Sequence, residues 1–474
     1  MNVFILTEGG KNIGFGHVAR CSSLYQAFEQ FDISPNFLIN GDDSVKSILP
    51  NINVDIINWL DDLSVISKAD IVIIDSYLAD IDVFNEISNI VPLVAYVDDN
   101  NRLNYPKGIV INGTLDASNM DYKKRDNIRY LLGNDYIPLR KDFWDISKLK
   151  INDSIKNILI TMGGNDLRNL TPKILELLNN KFPNVTKKVI IADSFDNVSE
   201  IENLKNSNVE LIYSPESSEI INAMSSVDLA ISASGQTLYE LACIGVPTVA
   251  IGIIENQKNN ILNWKKQGFI EYAGCWNDEN LLDNILDRIE FLEDKNIRYD
   301  KRLLGIQAVN GKGSINIVKS ILNEFYKNNL VFREIKKEDC LKIFEIANDD
   351  EVRESSFNSE KIKLEDHKIW FKNVLNDTSV KFYVLEYSND IIGQLRLDFD
   401  EKFPVISISL NKKYRSLGLS KILLSKGLDL VEGKVVAYIK KDNLRSISFF
   451  KSMGFKKDED IIIKDCQAFK FIKE

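Results

Sequence analysis

The sequence predicts an α/β protein: two Rossmann-like halves in tandem, followed by a separate α+β module. Three observations predict it. Short apolar runs alternate with helical patterns over residues 3–325, that alternation restarts at residues 156–164, and near residue 330 it gives way to antiparallel-looking strands. The first half opens on the run VFIL at 3–6. A helix is expected from about His17 to Gln30, then the runs FLIN at 37–40, IVIID at 71–75 and VAYVDD at 94–99. Strand followed by helix, repeated, is the pattern of a parallel sheet with loops at its strand ends. The second half begins at KNILITMGG (156–164) and continues through TPKILELLNN, KKVIIAD, VELIYS, VDLAISASG and VPTVAIG. The expected domains are 1–145, 146–327 and 331–474, with a linker between the halves near 140–155. Two Rossmann-like halves facing a cleft, with a helix-rich tail at 278–327, make up the GT-B architecture, in which ligands lie at the strand C-termini.

Composition narrows the function classes. A chain of 474 residues, 44% hydrophobic and 27% charged, has ample material for two or three cores. A formal charge of −10 argues against nucleic acid or an anionic membrane as the main partner, so any anionic ligand has to be held by local geometry. The five cysteines (Cys21, Cys243, Cys275, Cys340, Cys466) stand singly, which is expected of reduced thiols in a cytoplasm. The start, MNVFILTEGG, has no basic segment before an apolar core, and no run approaches the roughly 20 apolar residues of a membrane span. A soluble, non-exported enzyme without a membrane partner is expected. The two histidines, His17 and His367, never cluster with cysteine, so no metal site is expected.

The first constellation is Gly14-Phe15-Gly16-His17-Val18-Ala19-Arg20, which follows a strand and opens a helix. Glycines permit close backbone approach, and a helix start offers free N–H groups and a positive field, a combination suited to an anion. A neutral imidazole at that entrance is placed to act as a general base, and a capping histidine in an ordinary glycine turn is the plainer alternative. In the second half Gly163, Gly164, Asn165 and Asp166 close a strand, and Ser232-Ala233-Ser234-Gly235-Gln236-Thr237-Leu238-Tyr239-Glu240 runs from a strand through a Ser/Gly loop into a helix. Amides and hydroxyls converging there suit a diphosphate. The Glu240 carboxylate, one turn into the helix, suits a ribose diol or simply pairs with the helix dipole. Asn256 and Gln257 follow another strand and place amide side chains near the same edge.

Taken together, GFGHVAR, MGGND, SASGQTLYELACIGVP and ENQ resemble the UDP-sugar hydrolases of pseudaminic acid biosynthesis, relatives of the peptidoglycan GlcNAc transferase. The resemblance covers about residues 1–325. It implies that His17 activates a water that attacks the sugar C1 and expels UDP with inversion and without a metal. It also implies that Gly14, Gly16 and Arg20 belong to the same site, and that Asp75, Tyr77, Asp98 and Asp99 lie near the sugar. Hydrolysis rather than transfer to an acceptor follows from the resemblance and from the lack of a strongly basic, apolar stretch in residues 1–100. The residues themselves suit a glycosyltransferase of the same architecture equally well, or a related nonulosonate precursor of different stereochemistry.

From VFREI at 331–335 the texture changes to α+β, with a hairpin expected at Ser388-Asn389-Asp390. The strand VISISL (405–410), the turn YRSLGLS (414–420) and a helix starting near Lys421 resemble the acetyl-CoA motif of GNAT acetyltransferases, with Arg415, Gly418 and Ser420 at its fixed positions. The implied cosubstrate is acetyl-CoA. Its pyrophosphate would lie on the N–H groups of Arg415, Ser416, Gly418, Leu419 and Ser420, and its pantetheine against Ile408 and Leu410. Asn443 through Phe455 matches a second signature of that family, in which the customary tyrosine is here Phe450. The base is unassigned among Glu386, Tyr387 and Asp398, and an inactive module serving dimerisation or regulation is the alternative. Acetylation of a UDP-4-amino sugar and hydrolysis of the product at C1 are consecutive steps, and a chain with both modules is expected to perform both.

Overall fold

A computed structural model describes the chain apart from residues 12, 50, 147–150 and 400, and apart from the side chain of Asn256. The expected linker stretch at 147–150 and the Asn256 side chain therefore lie outside what is described. Two compact units are present, Met1–Val318 and Lys319–Glu474. The division falls inside the helix Gly313–Asn329, because its last turns pack on the second unit. There Asn323 Nδ2 donates to the Leu417 carbonyl at 2.8 Å, and Tyr326 meets the rings of Tyr387 and Tyr414 edge-on at 5.2 and 5.6 Å.

The first unit contains two all-parallel sheets. Strands β1 (Val3–Gly9), β2 (Asn36–Gly41), β3 (Asp55–Ile56), β4 (Ile71–Asp75), β5 (Leu93–Val97), β6 (Gly108–Asn112) and β7 (Ile128–Leu132) lie in the order β3-β2-β1-β4-β5-β6-β7. Strands β8 (Asn157–Thr161), β9 (Thr186–Ile191), β10 (Val209–Tyr213), β11 (Leu229–Ala233), β12 (Thr248–Gly252) and β13 (Ile270–Cys275) lie in the order β10-β9-β8-β11-β12-β13. All residues of β4, β11 and β12 are buried, as parallel strands covered on both faces must be, which explains runs such as IVIID and TVAIG. In both sheets the strand order reverses beside the first strand of the half, β1 or β8. The loops after β1 and β4, and after β8 and β11, thus open at the crevice where doubly wound sheets hold ligands.

The second unit is one mixed sheet: β14 (Val331–Glu334), β15 (Val380–Tyr387), β16 (Asp390–Asp398), β17 (Val405–Leu410), β18 (Val435–Lys440), β19 (Lys456–Ile463) and β20 (Cys466–Lys473), in the order β14-β15-β16-β17-β18-β20-β19. Ser388 and Asn389 join β15 to β16 with φ of 48° and 68°, the doubly left-handed two-residue turn that matches strand twist. The helix expected near Lys421 begins two residues earlier, at Leu419, because Gly418 supplies the turn that starts it. A short helix at Asp350–Ser355 was not foreseen, since DEVRES carries no apolar periodicity. No helix among the described residues is long and apolar enough to cross a membrane.

Candidate active sites

In the first unit the loop after β1 folds back on itself through paired hydrogen bonds between Gly10 and Gly14, and the helix Gly16–Glu29 starts directly beyond it. His17 and Arg20, one turn apart, project from this start on the same side. Both meet Asp75, the last residue of β4. His17 Nδ1 lies 2.7 Å from Asp75 Oδ1, Arg20 Nη2 donates to the same oxygen at 2.6 Å, and Arg20 Nε donates to Oδ2. Burial alone would raise the fully buried Asp75 carboxyl, but the Arg20 guanidinium and His17 outweigh it and hold it down at about 2. An ionised carboxylate only accepts. The tautomer with its proton on Nδ1 donates to that carboxylate and leaves Nε2 its lone pair, while Arg20 Nη2, which can only donate, lies 3.1 Å from the same Nδ1.

Around this dyad Tyr77 stands edge-on to the His17 ring at 4.8 Å and donates its hydroxyl to Asp99 Oδ1 at 2.5 Å, while Arg20 Nη1 donates to Asp99 Oδ2 at 3.1 Å. Burial and the Asp99 carboxylate both push the Tyr77 hydroxyl up, so it stays a donor. Of the two adjacent acids only Asp99 joins the cluster. Asp98 Oδ1 accepts the N–H of Asp99 and Asn100 at 2.9 and 3.2 Å, and its Oδ2 takes the Tyr122 hydroxyl at 2.7 Å, so it shapes the turn instead.

The Asp75 arrangement predicts an acid response. Unfolded, this carboxyl titrates near 3.8, and folded near 2. The stability it contributes, on the order of 2 kcal/mol, is complete well above pH 4 and drains away as pH falls through that window toward 2. Asp75→Asn should lower the urea stability of the first unit at pH 7 by about 2–4 kcal/mol, because Arg20 then keeps only Asp99. The gap to the wild type should narrow by about 1 kcal/mol at pH 3. A gap that stays constant between pH 7 and pH 3 would show that the charge on Asp75 is not its source.

Across the crevice, Gly163 has φ of 81°, and side chains added at Gly14, Gly16 or Gly163 would meet nothing within 4 Å. A side chain at Gly164 would come within 3.9 Å only of the Phe15 ring. The glycine loops of the two halves thus face one another with open space at their backbones. Asn165 is exposed, whereas Asp166 is turned inward and caps the helix Thr171–Lys181 by accepting the N–H of Leu170 and Thr171 at 2.9 and 2.8 Å. Ser234 is fixed to the Ile251 carbonyl through its N–H at 3.0 Å and its hydroxyl at 2.9 Å. Gly235 and Gln236 then lead into the helix Thr237–Ile244. Gln236 donates to the Pro138 carbonyl at 3.2 Å, and Gln257 accepts the Ile253 N–H at 2.9 Å. Glu240 is held by Arg140, with Nη2 to Oε1 at 2.8 Å.

In the second unit β17 and β18 run parallel but pair only at Val405 and Val436, so the strands diverge and Ile408 and Leu410 have no β18 partner. The divergence opens toward the turn 414–418. There Ser416 and Gly418 have φ of 65° and 75°, a left-handed pair that turns successive N–H groups toward one point before the helix Leu419–Leu428. Ser420 lies in the first turn of that helix. The Arg415 side chain is engaged elsewhere: it pairs with Asp349, lies 3.0 Å from Glu351 and donates to the Leu410 carbonyl at 3.2 Å. Asn443 caps the helix Leu444–Ser452 by accepting the Ser446 N–H at 3.0 Å. Phe450 is buried between Phe449 and Phe455, with ring centroids at 5.3 and 5.0 Å, and has no proton to give. Glu386 is paired with Arg333, and Asp398 lies 2.9 Å from Arg396.

Residues 341–455 match the model of the Acetyltransferase (GNAT) family. The chain carries a GNAT acetyltransferase domain. The whole chain is similar to an uncharacterized protein of Methanocaldococcus jannaschii, 25% identical over 96% of this chain and 97% of that one. It is also 28% identical, over 54% of its length and 45% of the relative's, to the pseudaminic acid cytidylyltransferase and UDP-2,4-diacetamido-2,4,6-trideoxy-beta-L-altropyranose hydrolase of Helicobacter pylori. The chain therefore spans less than half of that relative. The spore coat polysaccharide biosynthesis protein SpsG of Bacillus subtilis is 23% identical over 70% of this chain and all of its own. Among solved structures, spermidine N-acetyltransferase of Vibrio cholerae aligns with 31% of this chain and 95% of its own at 14% identity, with a TM-score of 0.29.

The structure adds residues that sequence reasoning passed over. Glu8, buried at the end of β1, accepts the Tyr77 N–H at 2.6 Å, the Leu78 N–H at 3.2 Å and the Ser76 hydroxyl, and so holds the loop that presents Tyr77. An acid inside the apolar run VFILTEG was the available signal. Arg102 Nη2 donates to the Ser76 carbonyl at 2.7 Å, with its guanidinium 5.2 Å over the Tyr77 ring. In the GNAT domain, Asp349 and Glu351 take the Arg415 guanidinium. No motif pointed to Arg102 or to these two acids.

Proposed function

We propose that the chain performs two consecutive steps on one nucleotide sugar: acetyl-CoA-dependent N-acetylation of a UDP-4-amino-4,6-dideoxy sugar by the second unit, and hydrolysis of the UDP-diacetamido product at C1 by the first. The observation that carries the hydrolytic step is the His17–Asp75 contact at 2.7 Å; in this reading His17 Nδ1 donates to the ionised carboxylate and Nε2 serves as the base. In this reading Nε2 takes a proton from water as the water oxygen bonds to C1. The bond from C1 to the phosphate oxygen breaks on the opposite face, and UDP leaves with the electron pair. Arg20 keeps Asp75 charged throughout. The Gly163, Gly164 and Ser234–Thr237 backbones receive the diphosphate, Glu240 the ribose, and Tyr77 with Asp99 the sugar. No step is assigned to a metal. The resemblance of the GFGHVAR, MGGND and SASGQ segments, and the similarity to the H. pylori relative, support this substrate class.

For the acetylation step, the gap between β17 and β18 and the left-handed Ser416/Gly418 turn fit the pantetheine and pyrophosphate of acetyl-CoA. Bound there, acetyl-CoA supplies an activated acetyl group. The chain contributes N–H donors at 416–420, free β17 backbone groups for the pantetheine amides, and a neutral, apolar wall at Phe450.

Mass spectrometry of the full chain mixed with the UDP-4-amino sugar, with and without acetyl-CoA, tests the proposal. Free UDP and a diacetamido sugar should form only when acetyl-CoA is present. Acetylated UDP-sugar that accumulates unhydrolysed would overturn the hydrolase reading and point the first unit to transfer onto an acceptor.

A further inference from the structure

The segment 138–141 joins the two halves of the first unit and is tied down on several sides. Gln236 Nε2 donates to the Pro138 carbonyl at 3.2 Å, the Ser314 hydroxyl to the Leu139 carbonyl at 2.9 Å, and the Lys141 N–H to Gln26 Oε1 at 2.8 Å. Among the described residues Arg140 is its one charged anchor to the second half. Its Nη1 donates to the Ser217 hydroxyl at 2.9 Å and its Nη2 to Glu240 Oε1 at 2.8 Å, with the guanidinium 5.7 Å over the buried Phe143 ring. Both members of the ion pair are mostly shielded, at 24% and 13% side-chain exposure. This is not the loose surface pair that contributes little.

We propose that Arg140 is a positioning residue for nucleotide binding, acting through Glu240. A glutamate in the first turn of a helix has several side-chain rotamers, and only some aim its carboxylate at a ligand beyond the Ser/Gly loop. The rigid guanidinium fork, itself fixed by Ser217 and Phe143, takes Oε1 and holds the group in one orientation. Oε2 is left to accept from a ribose diol. Ordering Glu240 before the nucleotide arrives removes an entropic cost from binding. The inference rests on the UDP reading of this site and adds to it a residue from the linker, which no phosphate-loop or sugar motif contains.

A double-substitution cycle on the full chain tests it, with UDP itself as probe by calorimetry and turnover of the UDP-sugar alongside. Arg140→Met should weaken UDP about tenfold and raise KM similarly, while kcat at saturation stays within about threefold. In a Glu240→Gln background the same substitution should change UDP affinity less than about twofold, because the residue it acts through is already disabled. Arg140→Lys, which keeps the charge and loses the fork, should fall between. If Arg140→Met does not fold, as judged by melting, the cycle is run with Arg140→Lys. An equal loss in both backgrounds overturns the proposal, since Arg140 would then touch the nucleotide itself. Unchanged UDP affinity in Arg140→Met also overturns it while leaving the UDP site standing. A wild-type chain that does not bind UDP would instead overturn the nucleotide reading beneath it.

Discussion

Replacing His17 by alanine is expected to slow release of UDP from the diacetamido UDP-sugar by about a hundred- to ten-thousand-fold in kcat, the range that a positioned general base supplies. UDP affinity should stay within about twofold, because the imidazole is assigned to the water and not to the nucleotide. Acetyl transfer should be unchanged, since none of the groups that hold His17, namely Asp75, Arg20 and Tyr77, lies in the second unit. Asp75→Asn gives a second view of the same proton. An amide in place of the carboxylate can donate to Nδ1, which favours the tautomer with its proton on Nε2, so that turnover falls even though the imidazole is present. The two losses should not add, because both disable one base. Steady-state rates of the two single variants and the double variant decide this. If His17→Ala retained a tenth or more of the wild-type kcat, the water would have to be activated by another group, and the His17–Asp75 contact would revert to a capping histidine held by a buried acid.

How far this arrangement was legible in the sequence depends on the distance between its parts along the chain. His17 and Arg20 fall within one helical turn of two glycines, so a local pattern displays their common direction. Asp75 is 58 residues from His17, Asp99 is 79 from Arg20 and Glu240 is 100 from Arg140, and nothing local links such pairs. Asp75 and Asp99 entered only through resemblance to a family, and Arg140 did not enter at all. Asp98 and Asp99 look equivalent in VDD. Only the fold distinguishes them, by turning one onto backbone N–H groups and the other onto Arg20 and Tyr77. The same logic governs the secondary structure. Fully buried strands such as IVIID announce themselves by composition, and the Ser388-Asn389 turn by residue types that tolerate positive φ. The strands GIVIN, inside the sheet, and IRYLL, at its edge, are bracketed by turn residues such as Pro106, Gly113, Asn127 and Gly133, but five-residue apolar runs do not by themselves distinguish a strand from buried helix.

Gly418→Glu is the counterpart in the second unit and is expected to reduce kcat/KM for acetyl-CoA by about a thousandfold or more, the scale of losing several charge-assisted contacts at once. Three effects combine at this position. Gly418 sits at φ of 75°, where a side chain costs roughly 1–2 kcal/mol. Its Cβ would approach Asn323 Nδ2 to 3.1 Å, crowding the amide that donates to the Leu417 carbonyl. The carboxylate would also bring negative charge to the turn whose N–H groups converge on the pyrophosphate site. Gly418→Ala separates these contributions: it carries the strain and the crowding without the charge, and its loss should be about tenfold. The remaining difference between the two variants then measures the repulsion, and it should shrink as salt is raised. Acetyl-CoA affinity by calorimetry, transfer to the UDP-4-amino sugar, and hydrolysis of separately prepared diacetamido UDP-sugar should be read on the same preparations. Hydrolysis unaffected while transfer is lost would establish two active sites that work independently. Gly418→Glu that bound acetyl-CoA as the wild type does would remove the 416–420 turn from the site and leave the gap between β17 and β18 without a function.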